Sequence, residues 1–132
     1  MTQHRFPIRI YYEDTDFSGN VYHAAYLKFF ERGRTEFLRE EGVHHFELAA
    51  QGVAFAVRSM TLDFVGAAHI DDLLTVVTEV ETVTGARLVL QQTILRGDVV
   101  LTHATVVVVA IKTSGGVARM PKVILETFGS ST

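Results

Sequence analysis

The chain has 132 residues, 48% of them hydrophobic, and a formal net charge of −3. A chain of this length suits a single domain that buries about two thirds of its unfolded surface, so we expect one domain over residues 1–132. The slight acidic excess argues against a nucleic-acid-binding protein, which usually carries a basic excess. Cysteine is absent, which excludes disulfides, thiolate metal sites and a cysteine nucleophile.

Apolar stretches are short throughout the chain. The longest, residues 104–111 (ATVVVVAI), is far too short to span a bilayer and is typical of a buried strand. The first residues lack the apolar core of a signal peptide because Pro7, Arg9 and Glu13 interrupt it. We therefore expect a cytoplasmic protein without a membrane span.

In chain order the first elements are a strand, an acidic turn and a long helix. Residues 6–12 are rich in β-formers and predict the first strand. Residues 14–20 (DTDFSGN) predict a turn. From residue 21 to about residue 41 apolar residues recur at helical spacing without a proline. Because the first half of this helix is apolar nearly all round, we expect it to be buried.

After the helix the pattern changes to the two-residue period of strands. Four stretches rich in β-branched residues are predicted as strands: 53–65, 73–83, 86–96 and 99–112. Short connections around Gly85 and Gly97 predict that the last three strands pair as antiparallel hairpins. The final long strand is apolar on both faces, which indicates burial by a second subunit.

Shorter segments complete the chain. Residues 44–51 predict a short helix, residues 113–116 a loop, and residues 120–128 a last strand or a helical turn. The final residues, 129–132, are expected to fray. Because one long apolar helix needs a sheet curled around it, the order of elements predicts an α+β fold with an antiparallel sheet.

The acidic turn is the candidate site, and several kinds of site compete for it. Asp14, Asp16, Ser18 and Gly19 match the first, third, fifth and sixth positions of a calcium-binding EF-hand loop. The twelfth position needs a bidentate glutamate and is Ala25, so calcium is disfavoured. An Asp-x-Asp phosphotransferase site is disfavoured too, because the chain lacks alternating strands and helices.

A metal site built from histidines is also disfavoured. The histidines of the chain beyond the N-terminus do not show the ligand spacing of a zinc site: His23, His44, His45, His69 and His103. We expect them to be surface residues or hydrogen-bonded structural residues, and we expect no metal.

Two interpretations of the acids stay open on residue chemistry alone. Aspartate and serine in a turn before a helix commonly cap its first N–H groups. Alternatively, Gly19 lets the backbone approach a ligand, and the free N–H groups of the helix start suit a developing oxyanion. An acid beside such donors is a plausible acyl-transfer site.

The stretch from residue 11 to residue 40, YYEDTDFSGNVYHAAYLKFFERGRTEFLRE, closely resembles the signature of the hotdog-fold acyl-CoA thioesterases. The resemblance is to the 4-hydroxybenzoyl-CoA thioesterase group and, within it, to the YbgC-type enzymes linked to the Tol–Pal system. The matching positions of the signature are Tyr12, Asp14, Thr15, Asp16, Gly19, Val21, Tyr22 and His23. Residues 57–76 and 119–122 resemble later parts of the family. The resemblance implies a five-stranded antiparallel sheet wrapped around one long central helix.

It also implies a reaction, hydrolysis of an acyl-CoA to a carboxylate and free CoA, and a role for each residue of the turn. Asp16 would be the catalytic carboxylate, either as a nucleophile or as a general base, and Asp14 would hold the turn. The backbone N–H of His23 would polarise the thioester carbonyl, and its side chain would help to orient substrate or water. The residues that would shape the binding site beside the acyl group are Gly19, Val21 and Tyr22.

Substrate and assembly follow from the same resemblance. No cofactor is expected, since CoA is part of the substrate, and acyl carrier protein is a second candidate acyl donor. The resemblance does not identify the ligands of the CoA phosphates, so they are chosen from the basic residues of the sheet and tail, each of which taken alone is expected to be solvated. Arg58 and Arg87 are chosen, with contacts expected to cross a subunit boundary, and the other candidates are Arg96, Lys112, Arg119 and Lys122. The family forms dimers with the two helices side by side, commonly assembled into tetramers, so we expect a homodimer or homotetramer.

Three alternatives remain beside this interpretation. Another branch of hotdog thioesterases carries its carboxylate inside the central helix, where Glu31 and Glu36 are the candidates, although a solvated or paired role is favoured for both. Hotdog hydratases of enoyl or hydroxyacyl thioesters use a different motif. A binding module for acyl-CoA or acyl carrier protein would need Asp16 to be only a cap.

Overall fold

The computed structural model describes residues 3–129. Its strands are β1 (Gln3–Arg9), β2 (Val53–Phe64), β3 (Leu73–Val83), β4 (Leu88–Arg96), β5 (Val99–Lys112) and β6 (Val117–Ala118). Its helices are α1 (His23–Glu40), α2 (His45–Ala50) and α3 (Lys122–Phe128), and a 3₁₀ turn covers Tyr12–Asp14. No helix within residues 3–129 is long and apolar enough to cross a membrane.

The strands form one antiparallel sheet in the order β1-β3-β4-β5-β2, and β6 pairs with β5 beside this path. The predicted hairpins β3–β4 and β4–β5 are present. The predicted five strands are joined by a sixth of two residues, because the loop at 113–116 is the turn of a β5–β6 hairpin. Gly115 and Gly116 both have positive φ in that turn, which only glycine adopts without strain.

Several element boundaries differ by one to three residues from the predictions; for example, α1 begins at His23 rather than at residue 21, and β4 begins at Leu88 rather than at residue 86. The first strand ends at Arg9 rather than at residue 12, since the next residues turn into the 3₁₀ segment, where the N–H of Tyr11 donates to the Asp14 carboxylate. The last segment forms α3, which resolves the choice between strand and helical turn. The residues expected to fray lie outside the described residues, apart from Gly129.

Helix α1 packs its apolar side on one face of the sheet, which confirms the predicted buried helix. Tyr26, Phe29 and Phe30 are at most 2% exposed. The approach is closest at Gly33, where an added Cβ would lie 2.5 Å from Cγ1 of Val76 in β3. A glycine is therefore required for helix and sheet to pack at this distance.

The last long strand alternates more clearly than its sequence predicts. In β5 the even-numbered residues 102–110 are buried on one face, and the odd-numbered residues 103–111 are half-buried on the other. Val107, Val109 and Ile111 lie on this half-buried face, so the sequence of the strand shows no regular alternation of apolar and polar residues.

Candidate active site

The acidic turn is a tight reversal directly before α1. Thr15 and Val21 form an isolated antiparallel bridge that closes the turn. Inside it the N–H of Asp16 donates to the Asn20 carbonyl at 2.9 Å, and the N–H of Gly19 donates to the Asp16 carbonyl at 3.1 Å. Gly19 has φ of 85°, a left-handed backbone conformation that glycine adopts without the steric strain caused by a Cβ atom.

The Asp16 carboxylate is exposed, and one of its two oxygens is engaged. Oδ1 accepts a hydrogen bond from the Ser18 N–H at 2.8 Å and a second, short one from the Ser18 hydroxyl. Both bonds lower the pKa of Asp16, the hydroxyl more than the N–H, so the carboxylate is ionised at neutral pH. Oδ2 has no hydrogen-bond partner within residues 3–129. The turn thus presents a charged carboxylate with one free oxygen.

Asp14 is placed very differently. The residue is only 4% exposed, and its Oδ2 accepts from the N–H of Tyr11 at 2.9 Å. Its carbonyl accepts from the N–H of Tyr22 at 3.3 Å, which ties the turn to the start of α1. Asp14 is therefore a structural acid of the turn.

The start of α1 is not capped by a side chain. Tyr22 is the N-cap residue and makes no side-chain cap hydrogen bond, so neither Asp14 nor Asp16 caps the helix. The first N–H groups of a helix have no partner within the helix, and they carry a partial positive charge. The helix that begins at His23 can therefore donate to an anionic oxygen.

Aromatic rings lie beside this helix start. The exposed His23 ring meets Phe64 edge-on, with the ring centroids 4.8 Å apart, and Phe64 also contacts Tyr26 at 5.6 Å. Phe64, at the end of β2, is 44% exposed. Sequence reasoning missed Phe64, and its only signal was an aromatic residue at the end of a strand.

The two arginines chosen for the CoA phosphates lie on, or directly before, strands that are neighbours of β5, far from the turn. Arg58 is exposed where β2 shifts its register, and Arg87 is exposed just before β4. Val57 and Leu88 both pair with Val108, so the backbones of the two arginines are two strands, about 10 Å, apart, with a small offset along the strands because Arg58 follows Val57 and Arg87 precedes Leu88.

Within one chain these arginines are separated from Asp16 by the length of a strand. The loop before β3 bonds to the acidic turn, and Arg96 at the far end of β4 donates from Nη1 to the Ala67 carbonyl of that loop at 3.0 Å. Strand β4 has 9 residues. At about 3.3 Å per residue, Arg87 lies roughly 30 Å from Arg96.

The two acids inside α1 have separate surroundings. Glu36 forms an ion pair with Arg39 at 2.6 Å, as expected of a paired helix face. Glu31 lines a cavity of about 270 Å³ between α1, α2 and the sheet, beside Arg34 and His45. Sequence reasoning did not find this cavity, because its walls come from elements distant in the chain.

The cavity wall is supported from the core. Arg34 donates from Nη1 to Oε1 of Gln92 at 3.0 Å, and Nε2 of this fully buried glutamine donates to the Phe30 carbonyl at 3.0 Å. His45, on the α2 side of the cavity, has a lowered pKa. Burial is the larger cause and the charge of Arg39 the second, so the ring is neutral at physiological pH.

Metal binding finds no support in the arrangement of the side chains. Among residues 3–129, no three His, Asp or Glu side chains are grouped so that they could hold a metal ion. His69 bonds to Asn20 at 2.7 Å, and His103 bonds to Thr93 at 3.0 Å and to Gln91 at 2.8 Å.

Comparison with known proteins agrees with this geometry. A sequence profile of the thioesterase-like superfamily matches residues 11–128. The chain is 48% identical to the acyl-CoA thioesterase YbgC of Haemophilus influenzae over 107 residues, which cover 80% of this chain and 79% of that protein. It is 43% identical to the acyl-CoA thioester hydrolase YbgC of Escherichia coli, with 96% of each covered. The structure of a probable thioesterase from Bartonella henselae superposes with a TM-score of 0.86 at 45% identity, covering 91% of this chain and 100% of that one.

The antiparallel sheet packed on one long helix is the hotdog fold, and the protein is a thioester hydrolase. The family expected from the acidic turn is confirmed. The chain belongs to the thioesterase-like superfamily and, within it, to the YbgC-type acyl-CoA thioesterases.

Proposed function

We propose that the protein hydrolyses acyl-CoA with Asp16 as its catalytic carboxylate. The observation that carries the proposal is the ionised Asp16 side chain, whose Oδ2 accepts no hydrogen bond from residues 3–129, in a turn that leads directly into the start of α1, where the N-cap residue makes no side-chain cap hydrogen bond. The relatives named as acyl-CoA thioesterases support CoA as the carrier of the acyl group.

In this reaction R–CO–S–CoA and water give R–COO⁻, CoA–SH and a proton. By one route Oδ2 of Asp16 attacks the carbonyl carbon, CoA leaves as the thiolate, and water opens the resulting anhydride. By the other route Oδ2 takes a proton from the attacking water and passes it to the departing thiolate. Both routes need the same free oxygen, and both need Asp16 to be ionised.

The start of α1 supplies the electrostatic part of catalysis. The tetrahedral intermediate carries its charge on the former carbonyl oxygen, and the N–H of His23 is the donor proposed to face it. Loss of one such donor costs about 3 kcal/mol in other enzymes. The His23 ring would help to orient substrate or water, and the loop formed by Gly19, Val21 and Tyr22 would shape the site beside the acyl group.

CoA binding is proposed to join two subunits. Arg58 and Arg87 would form one basic site on the sheet, and their distance from Asp16 supports phosphate contacts made by the neighbouring protomer. Strand β2 pairs with β5 alone among the strands of residues 3–129, and Val57 on it is 45% exposed. Because such an open edge favours pairing with another strand, we propose a homodimer or homotetramer joined along β2.

The test of this function is an assay of the pure protein against aromatic, short aliphatic and long-chain acyl-CoAs in the presence of a thiol reagent. Release of free thiol with matching carboxylate is the expected result. Binding without release would instead support a binding module, and loss of enoyl absorbance would support a hydratase. The same panel with acyl carrier protein thioesters tests the second candidate donor.

A further inference from the structure

The loop between β2 and β3 supports the acidic turn through the backbone. The N–H of Val21 donates to the Ala68 carbonyl at 2.9 Å, and the N–H of Ile70 donates to the Gly19 carbonyl at 3.2 Å. These two bonds bracket the end of the turn that leads into α1. The position of the loop therefore determines where the turn lies.

Side chains add two further connections between the loop and its surroundings. Nδ1 of His69 is 2.7 Å from Oδ1 of Asn20, and the two residues also form a backbone bridge. The N–H of Ala68 donates to the buried Tyr26 hydroxyl of α1 at 3.0 Å. The loop thus contacts both the turn and the helix between which a substrate carbonyl would bind.

The loop itself is fixed by Asp72 and Arg96. Oδ2 of Asp72 accepts from the N–H of His69 at 2.9 Å and from Nη1 of Arg96 at 3.0 Å. The same Nη1 donates to the Ala67 carbonyl at 3.0 Å, so one guanidinium of β4 holds both ends of the loop. Asp71 has φ of 71°, a strained conformation that persists only where neighbouring contacts enforce it.

We propose that the Asp72–Arg96 ion pair positions the catalytic turn: it fixes the loop that fixes Asp16 relative to the start of α1. The inference rests on the proposed role of Asp16. Neither member of the pair touches that carboxylate, so both act only through the loop. A misplacement of about 1 Å in a catalytic group can cost on the order of 100-fold in rate.

A purely structural role makes a different prediction. The side chains of Asp72 and Arg96 are 22% and 39% exposed, and ion pairs this open to solvent contribute little to global stability. If the pair only stabilised the fold, its removal would change the melting temperature and the rate constants together, or neither. If it positions Asp16, removal lowers kcat while the melting temperature changes little.

The experiment measures kcat, KM and melting temperature for Asp72→Ala, Arg96→Ala, the double variant and Arg96→Lys. We expect each alanine variant to lose at least tenfold in kcat with KM within about threefold, and the double variant to lose no more than either single one, because the two residues act as a unit. Arg96→Lys should recover most of the rate. Hydrogen exchange should be faster in residues 16–22 of the alanine variants.

Arg39→Ala, which removes the Glu36 ion pair on the exposed face of α1, is the matched control and should keep its kcat. Unchanged kcat in Asp72→Ala and Arg96→Ala, or a loss that the melting temperature follows, would overturn the inference. Asp16→Asn measured in parallel separates the two proposals. If that variant is inactive while the alanine variants are normal, only the positioning role fails; if that variant is active, the proposed function fails as well.

Discussion

Ser18 determines how Asp16 behaves as an acid. Its hydroxyl and its N–H both donate to the same oxygen of the carboxylate, which stabilises the charged form, and the other oxygen accepts no hydrogen bond from the part of the chain that the structure describes. Asp14, two residues earlier, is buried and bound to the backbone. The two acids of one turn therefore have different surroundings and different hydrogen bonds.

Replacing Ser18 with alanine tests this arrangement. The hydroxyl bond is the largest cause of the lowered pKa of Asp16, so the variant should have a higher pKa at this residue. Since both proposed routes need the ionised form of Asp16, the acidic limb of the kcat/KM profile should move to higher pH, with little change near neutrality. Profiles should be recorded where circular dichroism shows a folded protein, with Ser114→Ala as the control. An acidic limb at the same pH in both variants would contradict the assigned bond.

The proposed division of roles between the two acids comes from the family resemblance rather than from the residues alone. The spacing alone left open whether the acids cap α1. The structure excludes this, because Tyr22 is the N-cap residue and makes no side-chain cap hydrogen bond. The bonds of Ser18 to Asp16 and the ring contact of His23 with Phe64 depend on side-chain geometry that no sequence period reports.

At the scale of elements, the packing of α1 against the sheet determines the position of the acidic turn that precedes the helix. Gly33 brings helix and strand into close contact at Val76, and Gln92 in β4 bonds to the Phe30 carbonyl of the helix. The start of α1 is thus held by packing further along the same helix.

Gly33→Ala should destabilise the protein. Alanine gains about 1 kcal/mol in helix propensity, but its Cβ would lie 2.5 Å from the fully buried Val76 side chain. Overpacking of a core costs about 1–3 kcal/mol, so we expect a net loss seen as a lower urea midpoint with an unchanged slope. Lys28→Ala on the exposed side of α1 should not lower the midpoint. A midpoint for Gly33→Ala at or above that of the wild type would show that this contact is not limiting.

Elements with a clear helical or strand period in their apolar residues were predictable from the sequence. The arrangement of these elements in the sheet was less predictable. The helical spacing located α1, and the glycine turns located the two hairpins. The place of β2 at the far edge, beside β5, could not be predicted because it depends on a long-range pairing. The cavity beside Glu31 and the 3₁₀ turn likewise result from tertiary contacts.

At the scale of the whole molecule, the two parts of the proposed site, Asp16 and the arginines proposed to bind CoA, lie far apart within one chain. Arg87 and the loop beside Asp16 lie near opposite ends of β4, roughly 30 Å apart. In a single chain the proposed catalytic turn is therefore at one end of β4 and the proposed phosphate ligand Arg87 at the other. A dimer in which one protomer supplies Asp16 and its partner supplies Arg87 would complete two equivalent sites.

Mixed oligomers test this sharing. Asp16→Asn and Arg87→Ala homo-oligomers should each be weak at substrate concentrations below KM. Unfolding and refolding an equal mixture should restore about a quarter of wild-type activity, since half of the dimers are mixed and each mixed dimer has one intact site. Mixing without subunit exchange is the control. Activity no higher than the mean of the two parents would place both residues in the same subunit's site.

The central claim is that Asp16 carries the chemistry, and its most direct test is the turnover of Asp16→Asn. We expect kcat to fall by about 10²–10⁴-fold, the range for removal of a general base, while the circular dichroism spectrum and melting temperature stay those of the wild type. Asp98→Asn in the exposed β4–β5 turn should keep full activity, and Glu31→Gln and Glu36→Gln should retain most of it. Near-normal hydrolysis by Asp16→Asn, with loss of turnover in Glu31→Gln or Glu36→Gln, would contradict the assignment and move the reaction to α1.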